Sequence, residues 1–140
     1  MRTVLLIISI VLTAWVNSQS AQDKILGTWL SEDKDGQVKI YKKGNEYFGK
    51  IVWVKFPNDE NGQPKTDLKN PDKKLNGQPI IGMVVVKNLV YKDGEWVNGT
   101  VYDPKDGKTY TCTVWLDNGN LKLRGYWGWF FATETWTKVN

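Results

Sequence analysis

The sequence predicts an all-β protein, a single antiparallel meander of 8-9 strands that closes into a small barrel behind an N-terminal signal helix. Three observations predict it. After Ala21, apolar residues recur at every second position and almost never at helical spacing. Turn signals rich in Asp, Asn and Gly separate the alternating runs, as tight hairpins require. Hairpin-linked strands must either leave two edges bare or close on themselves, and eight is a number that closes around a small interior.

The leader comes first. Arg2 precedes VLLIISIVLTAWV, Val4 to Val16, and the polar, small run NSQSAQD follows. This is the three-part pattern of a secretory signal peptide, shorter than the ~20 residues of a membrane span. Cleavage is expected after Ser20 or Ala21. Residues 1–21 are therefore read as a signal peptide and 22–140 as one β-barrel domain. The expected product is exported, periplasmic or secreted, and its mature form is not membrane-spanning. Cys112, the lone cysteine, lies too deep in the chain to be a lipid-attachment residue and has no partner for an internal disulfide.

The alternation predicts strands over Leu26–Ser31, Gln37–Lys42, Tyr47–Lys55, Ile80–Lys87, Glu95–Tyr102, Thr109–Leu116, Leu121–Tyr126 and Phe131–Val139, with Leu89–Lys92 as a ninth. Val38 and Ile40 alternate with lysines. Tyr47, Gly49, Ile51 and Trp53 share one face, as do Ile80, Gly82, Val84 and Val86, and Cys112, Val114 and Leu116. Turns are placed at Lys34 to Gly36, Lys43 to Asn45, Lys92 to Gly94, Asp103 to Gly107 and Asp117 to Asn120. One segment breaks the rhythm. From Phe56 to Pro79 (56–79) the chain has four prolines and no alternation, the mark of a binding loop, a lid or a mobile excursion.

Composition excludes several function classes. The net charge is +4, and lysines and acids are interleaved along the chain, so no basic stripe is available for nucleic acid. There is no histidine, which removes the commonest general base and the commonest zinc ligand. Ser31 is the only serine beyond the leader and lies in no nucleophile-elbow context. Asp67 and Asp103 are imaginable paired carboxylates, but aspartates in such segments are turn formers first. DKDG at Asp33 to Gly36 and NDENG at Asn58 to Gly62 resemble cation loops, yet their twelfth positions, Lys42 and Leu68, cannot supply the bidentate acid. No catalytic residue, metal site or cofactor is therefore expected, and the protein is read as a non-enzyme.

Binding is what remains. All but Trp15 of the eight tryptophans follow the leader, and Trp127, Trp129, Phe130 and Phe131 cannot all face one way on a strand. Aromatic edges with a few polar groups are what orient a ligand at a barrel mouth. The candidate ligand-binding residues are Asp67, Asn70, Tyr102, Lys108, Tyr110, Trp127 and Trp129, expected to form one rim. The favoured function is binding of a small apolar or amphipathic ligand, which a cavity behind Trp53 and Trp115 would favour over the alternative. The alternative is an adaptor that docks an envelope protein partner through its aromatic patch or the 56–79 loop.

Two resemblances follow. Gly27 and Trp29 form a Gly-x-Trp at the first strand, and Arg124, the only arginine besides Arg2, stands on a late strand. This pairing resembles the calycin superfamily, the lipocalins and their relatives, and implies a lipocalin-like barrel in which a cation lies across the tryptophan. Gly27, Trp29 and Arg124 are accordingly expected to form a structural clasp, with alternation leaving open that Arg124 acts from outside. A longer series resembles the bacterial exported domain of unknown function number 2147: Gly49 and Ile51; Asp67, Asn70, Pro71 and Asp72; Pro79, Ile80 and Gly82; Gly99, Tyr102, Asp103, Pro104, Gly107, Lys108 and Tyr110; Leu121, Arg124, Gly125 and Tyr126; Trp136 and Thr137. Lys74 and Asn76 replace arginines usual in that family after Asn-Pro-Asp, and WFFATE replaces a stretch of small residues. The resemblance implies an envelope protein and no known activity.

Overall fold

Left-handed backbone marks the expected hairpins. Lys34, Gly44, Asp93, Gly94, Gly107, Asn118 and Gly119 all have φ between 50° and 86°, the region where Asn, Asp and Gly are tolerated. A further turn at Gly128 and Trp129, with Gly128 at φ 60°, is one that the pattern did not announce. The computed structural model describes residues 20–139 together with Val11, so the signal helix expected over 1–21 falls almost wholly outside the described residues.

Between the turns run β1 (Gly27–Leu30), β2 (Gly36–Lys43), β3 (Glu46–Val54), β4 (Val84–Lys92), β5 (Glu95–Asp103), β6 (Lys108–Asp117), β7 (Asn120–Trp127) and β8 (Phe130–Lys138). Each pairs antiparallel with the next, and β1 pairs with β8 to close the barrel. The strand count is eight. Leu89–Lys92 is not a ninth strand but the second half of β4, and Ile80 to Met83 form a turn ahead of it.

Bulges explain where alternation misleads. Gln37 pairs with Trp53 but Val38 pairs with Ile51, so Val52 is extra and the faces reset. Ile51 therefore points inward while Trp53, expected on the same face, is 39% exposed. In β4, Asn88 adopts φ 61° and the register to β3 slips twice. Val85, Val86 and Leu89 are buried as a result, whereas Gly82 is exposed and Val84 only half-buried. Asn98 does the same in β5 at φ 60°, so that Trp96 and Gly99, three residues apart, both turn inward.

One end of the barrel is stoppered by the segment that leads into β1. A 3-10 turn at Ala21–Asp23 crosses that end. Trp96 Nε1 donates to Gln22 O at 3.0 Å, the Tyr47 hydroxyl to Asp23 Oδ1 at 2.6 Å, and Trp29 Nε1 to Ile25 O at 2.9 Å. The three large polar-tipped aromatics of this end thus find acceptors within the four residues 22–25 that precede β1.

The cation over Trp29 is Lys138, not Arg124. Lys138 stands in register with Trp29 on β8, its Nζ 4.7 Å from the ring centroid and donating to Leu26 O at 2.6 Å. Gly27 has φ +123°, a conformation that favours glycine, and a Cβ there would also displace the Lys138 ammonium, 2.5 Å away. Arg124 points outward from β7. Its Nε donates to Thr133 Oγ1 at 2.8 Å, and its guanidinium lies 5.1 Å from the Trp115 ring and 4.8 Å from that of Phe131. Alternation dictates this, because Leu121 and Leu123 take the inward positions and are buried.

Candidate ligand-binding site

The opposite end is open, and the three longest links, β1–β2, β3–β4 and β5–β6, gather there together with the tight β7–β8 turn. A cavity of about 490 Å³ descends from it into the barrel, within the roughly 300–1,000 Å³ typical of small-molecule sites. Its walls are the inward residues of the strands, among them Val38, Ile51, Val85, Val101, Leu123 and Trp136. Trp53 and Trp115, behind which a cavity would favour ligand binding, do not line it.

Of the expected rim residues, Tyr110 and Trp127 line the cavity. The Tyr110 hydroxyl donates to Asp106, and that bond, with burial second, pushes the phenol up to about 12. Lys108 stands at the same mouth with its Nζ 4.0 Å from the Trp127 ring centroid. Trp129 occupies the β7–β8 tip, 92% exposed, and does not line the cavity.

Asp67, Asn70 and Tyr102 come together, but they bind one another. Among the described residues, Asp67 is the one charged side chain that is buried, 1% exposed. It accepts from the Tyr102 hydroxyl at 2.8 and 3.0 Å, from Asn70 Nδ2 at 3.0 Å and from the Lys69 amide at 3.3 Å. Burial first, then this bond, raises the Tyr102 phenol above its ordinary range. The trio anchors the long β3–β4 connection rather than presenting groups to a ligand.

That connection is a folded flap. Isolated bridges pair Asn58 with Pro64 and Thr66 with Pro79, and Lys65 N donates to Pro57 O, Ile80 N to Lys65 O and Asp67 N to Gln78 O at 2.8–3.1 Å. It locks onto the β5–β6 turn. Lys69 Nζ donates to Lys105 O at 2.7 Å, and a Cβ on Gly107 would lie 2.2 Å from Lys69 O. Beneath the flap lies a second space of about 420 Å³, lined by Phe56 and Leu68 among others, which shares Asp35, Val54, Ile80, Pro104 and Lys105 with the barrel cavity.

Sequence reasoning passed over the charged groups of the cavity. Lys105 Nζ bonds Asp35 Oδ2 at 2.5 Å and lies 4.0 Å from Asp33. The bond holds the Asp35 carboxyl below its ordinary value and raises the Lys105 ammonium. Ser31 Oγ donates to the other Asp35 oxygen at 2.9 Å. Glu134 also lines the cavity, beside Ala132 and Trp136 on the inward face of β8. The alternation in FATETW, with Ala, Glu and Trp against Phe, Thr and Thr, carried that signal. Among the described residues, no group of three or more acidic or cysteine side chains is placed to hold a metal ion.

In sequence, no curated protein matches the chain. In fold it is similar to protein HP1028 from the human pathogen Helicobacter pylori, a member of the lipocalin family, at a TM-score of 0.70 with 22% identity over 83% of each chain. Residues 27–138, from the Gly-x-Trp of β1 to the last residue of β8, match the family "Uncharacterized protein conserved in bacteria (DUF2147)", and the chain belongs to that family of bacterial proteins.

Proposed function

We propose that this protein is a non-enzymatic binder of a small apolar or amphipathic molecule, exported to the cell envelope. One observation carries the binding reading: a barrel stoppered at one end by residues 21–25 and open at the other onto an apolar-walled cavity of about 490 Å³. Apolar walls with a few polar groups at the mouth suit a ligand that buries its body and keeps its head near water. The H. pylori relative in fold, a lipocalin-family protein, is consistent with this use. Export rests on the leader; N-terminal sequencing of the protein recovered from its own envelope should begin at Ala21 or Gln22.

Titration of intrinsic fluorescence with alkyl alcohols and lysolipids tests the binding, because Trp127 and Trp136 line the cavity. Saturable change is expected in the wild type. It should vanish in Ala132→Trp, which fills the cavity from the β8 wall, with the thermal unfolding midpoint retained. Saturation unaffected by Ala132→Trp would place the ligand elsewhere. The exposed Trp129, Phe130 and Phe131 favour a second reading, a docking tip for an envelope protein partner. Absence of any ligand response, with partner capture lost in Trp129→Ala, would put the adaptor in place of the receptor.

A further inference from the structure

We propose that the molecule held in this barrel carries a protonated amine, with Glu134 as its counter-charge; this rests on the ligand-binding reading above and narrows its ligand class. Glu134 stands on the inward face of β8, in register with the buried Leu123 of β7. Its Oε2 accepts from Trp136 Nε1 at 2.9 Å. Among the described residues, no lysine or arginine lies within 4.0 Å of its carboxylate, and that indole is its one side-chain donor. A carboxylate has about four acceptor positions, so most of this one's capacity faces the cavity.

The other charges at the cavity point the same way. Asp33, Asp35 and Asp103 line it with Glu134, against Lys105 as the one lining cation. Lys105 is already engaged by Asp35, and Lys108, at the mouth but outside the lining, lies over the Trp127 ring, so the cavity wall offers an anionic head no unengaged ammonium. The acidity is local, since the chain as a whole carries +4. Tyr110 and Trp136 add aromatic surface to the same walls, and ring faces attract cations. A fatty-acid carboxylate entering this cavity would meet Glu134, itself exposed at the wall, as a like charge beside an apolar lining that screens it less than bulk water does. An alkylammonium would give that carboxylate the N–H donors and positive charge it lacks.

Isothermal titration with decylammonium, decanol and decanoate, each below its micelle-forming concentration, separates the two readings. Decanol reports whether the cavity takes an alkyl chain at all; the charged pair reports the sign of the head. Decylammonium should bind at least about tenfold more tightly than decanoate, and Glu134→Gln should cut that advantage by about tenfold. Decanol affinity should not move, since glutamine keeps an acceptor for the Trp136 indole. Decanoate binding as tightly as decylammonium, or decylammonium indifferent to Glu134→Gln, overturns the amine while decanol binding keeps the receptor. Failure of all three to bind overturns both.

Discussion

Two cations on neighbouring strands illustrate how one residue's position decides its worth. Lys138 caps the closed end, covering Trp29 and bonding Leu26 O, so Lys138→Ala should lower stability by about 1–2 kcal/mol. Arg124 holds only outer-face rings and Thr133, and Arg124→Lys should stay within about 0.5 kcal/mol. Denaturant midpoints of the two variants check the order, and a larger loss at Arg124 would reverse the assignment. Gly99 is a case where absence of a side chain is the requirement. An added Cβ would lie 2.5 Å from Leu89 Cδ2 and 2.8 Å from Lys87 O, so Gly99→Ala should cost about 1–3 kcal/mol by overpacking. Cys112 gives the pH dependence. Burial pushes its thiol from 9.0 up to about 12, so the folded chain holds this proton more tightly than the unfolded chain does. Its contribution is complete below pH 9 and is lost as pH rises toward 12. Cys112→Ala should flatten the loss of stability between pH 9 and 10, before unfolded-state tyrosines with their ordinary value of 10.0 join in. Urea unfolding at stepped pH reads it.

Among the elements, the flap shows what can be read without coordinates and what cannot. Its start and its lack of alternation were legible from Phe56 to Pro79, although Ile80 to Met83, expected as strand, belong to it too, and Asp67, Asn70 and Tyr102 were legible only as members of a wider rim. Their roles were not, because a polar group aimed at a ligand and one aimed at another loop residue look alike in sequence. Tyr102→Phe tests the role: it leaves the buried Asp67 carboxylate without its hydroxyl donor, should cost about 1–3 kcal/mol, and should speed proteolysis within the flap while sparing the barrel. Unchanged cleavage would mean that the trio does not anchor it. The strands were legible wherever alternation ran unbroken, as in β7, and misread where a bulge inserted one residue. Val52, Asn88 and Asn98 each shift the faces beyond them, which turned Trp53 outward and split β4 into two expected strands. Period-2 reasoning has no term for an inserted residue. Glu134 was missed for the opposite reason: its alternation is regular, but a single acid among Phe130, Phe131 and Trp136 reads as an outer-face residue of an aromatic strand.

At the scale of the whole molecule, the two ends of the barrel divide the labour between stability and recognition. Trp29, Tyr47 and Trp96 bond to residues 22–25 at one end, while the flap, the Lys105–Asp35 pair and the β7–β8 tip surround the other. A chain truncated to begin at Leu26 should therefore lose at least about 3 kcal/mol, since three buried donors lose their acceptors together; thermal unfolding against a chain beginning at Gln22 measures it. The ring itself is not uniform. β6 and β7 pair along seven positions, whereas β1 meets β8 at two, Trp29 with Lys138 and Leu30 with Thr137, with Val139 N to Thr28 O added at 2.9 Å. A closed ladder opens first at its shortest rung set. In deuterium exchange under native conditions, the Leu30 and Val139 amides should therefore turn over through a local unzipping of this seam, well before Val114 and Leu123, whose release requires the whole barrel to come apart.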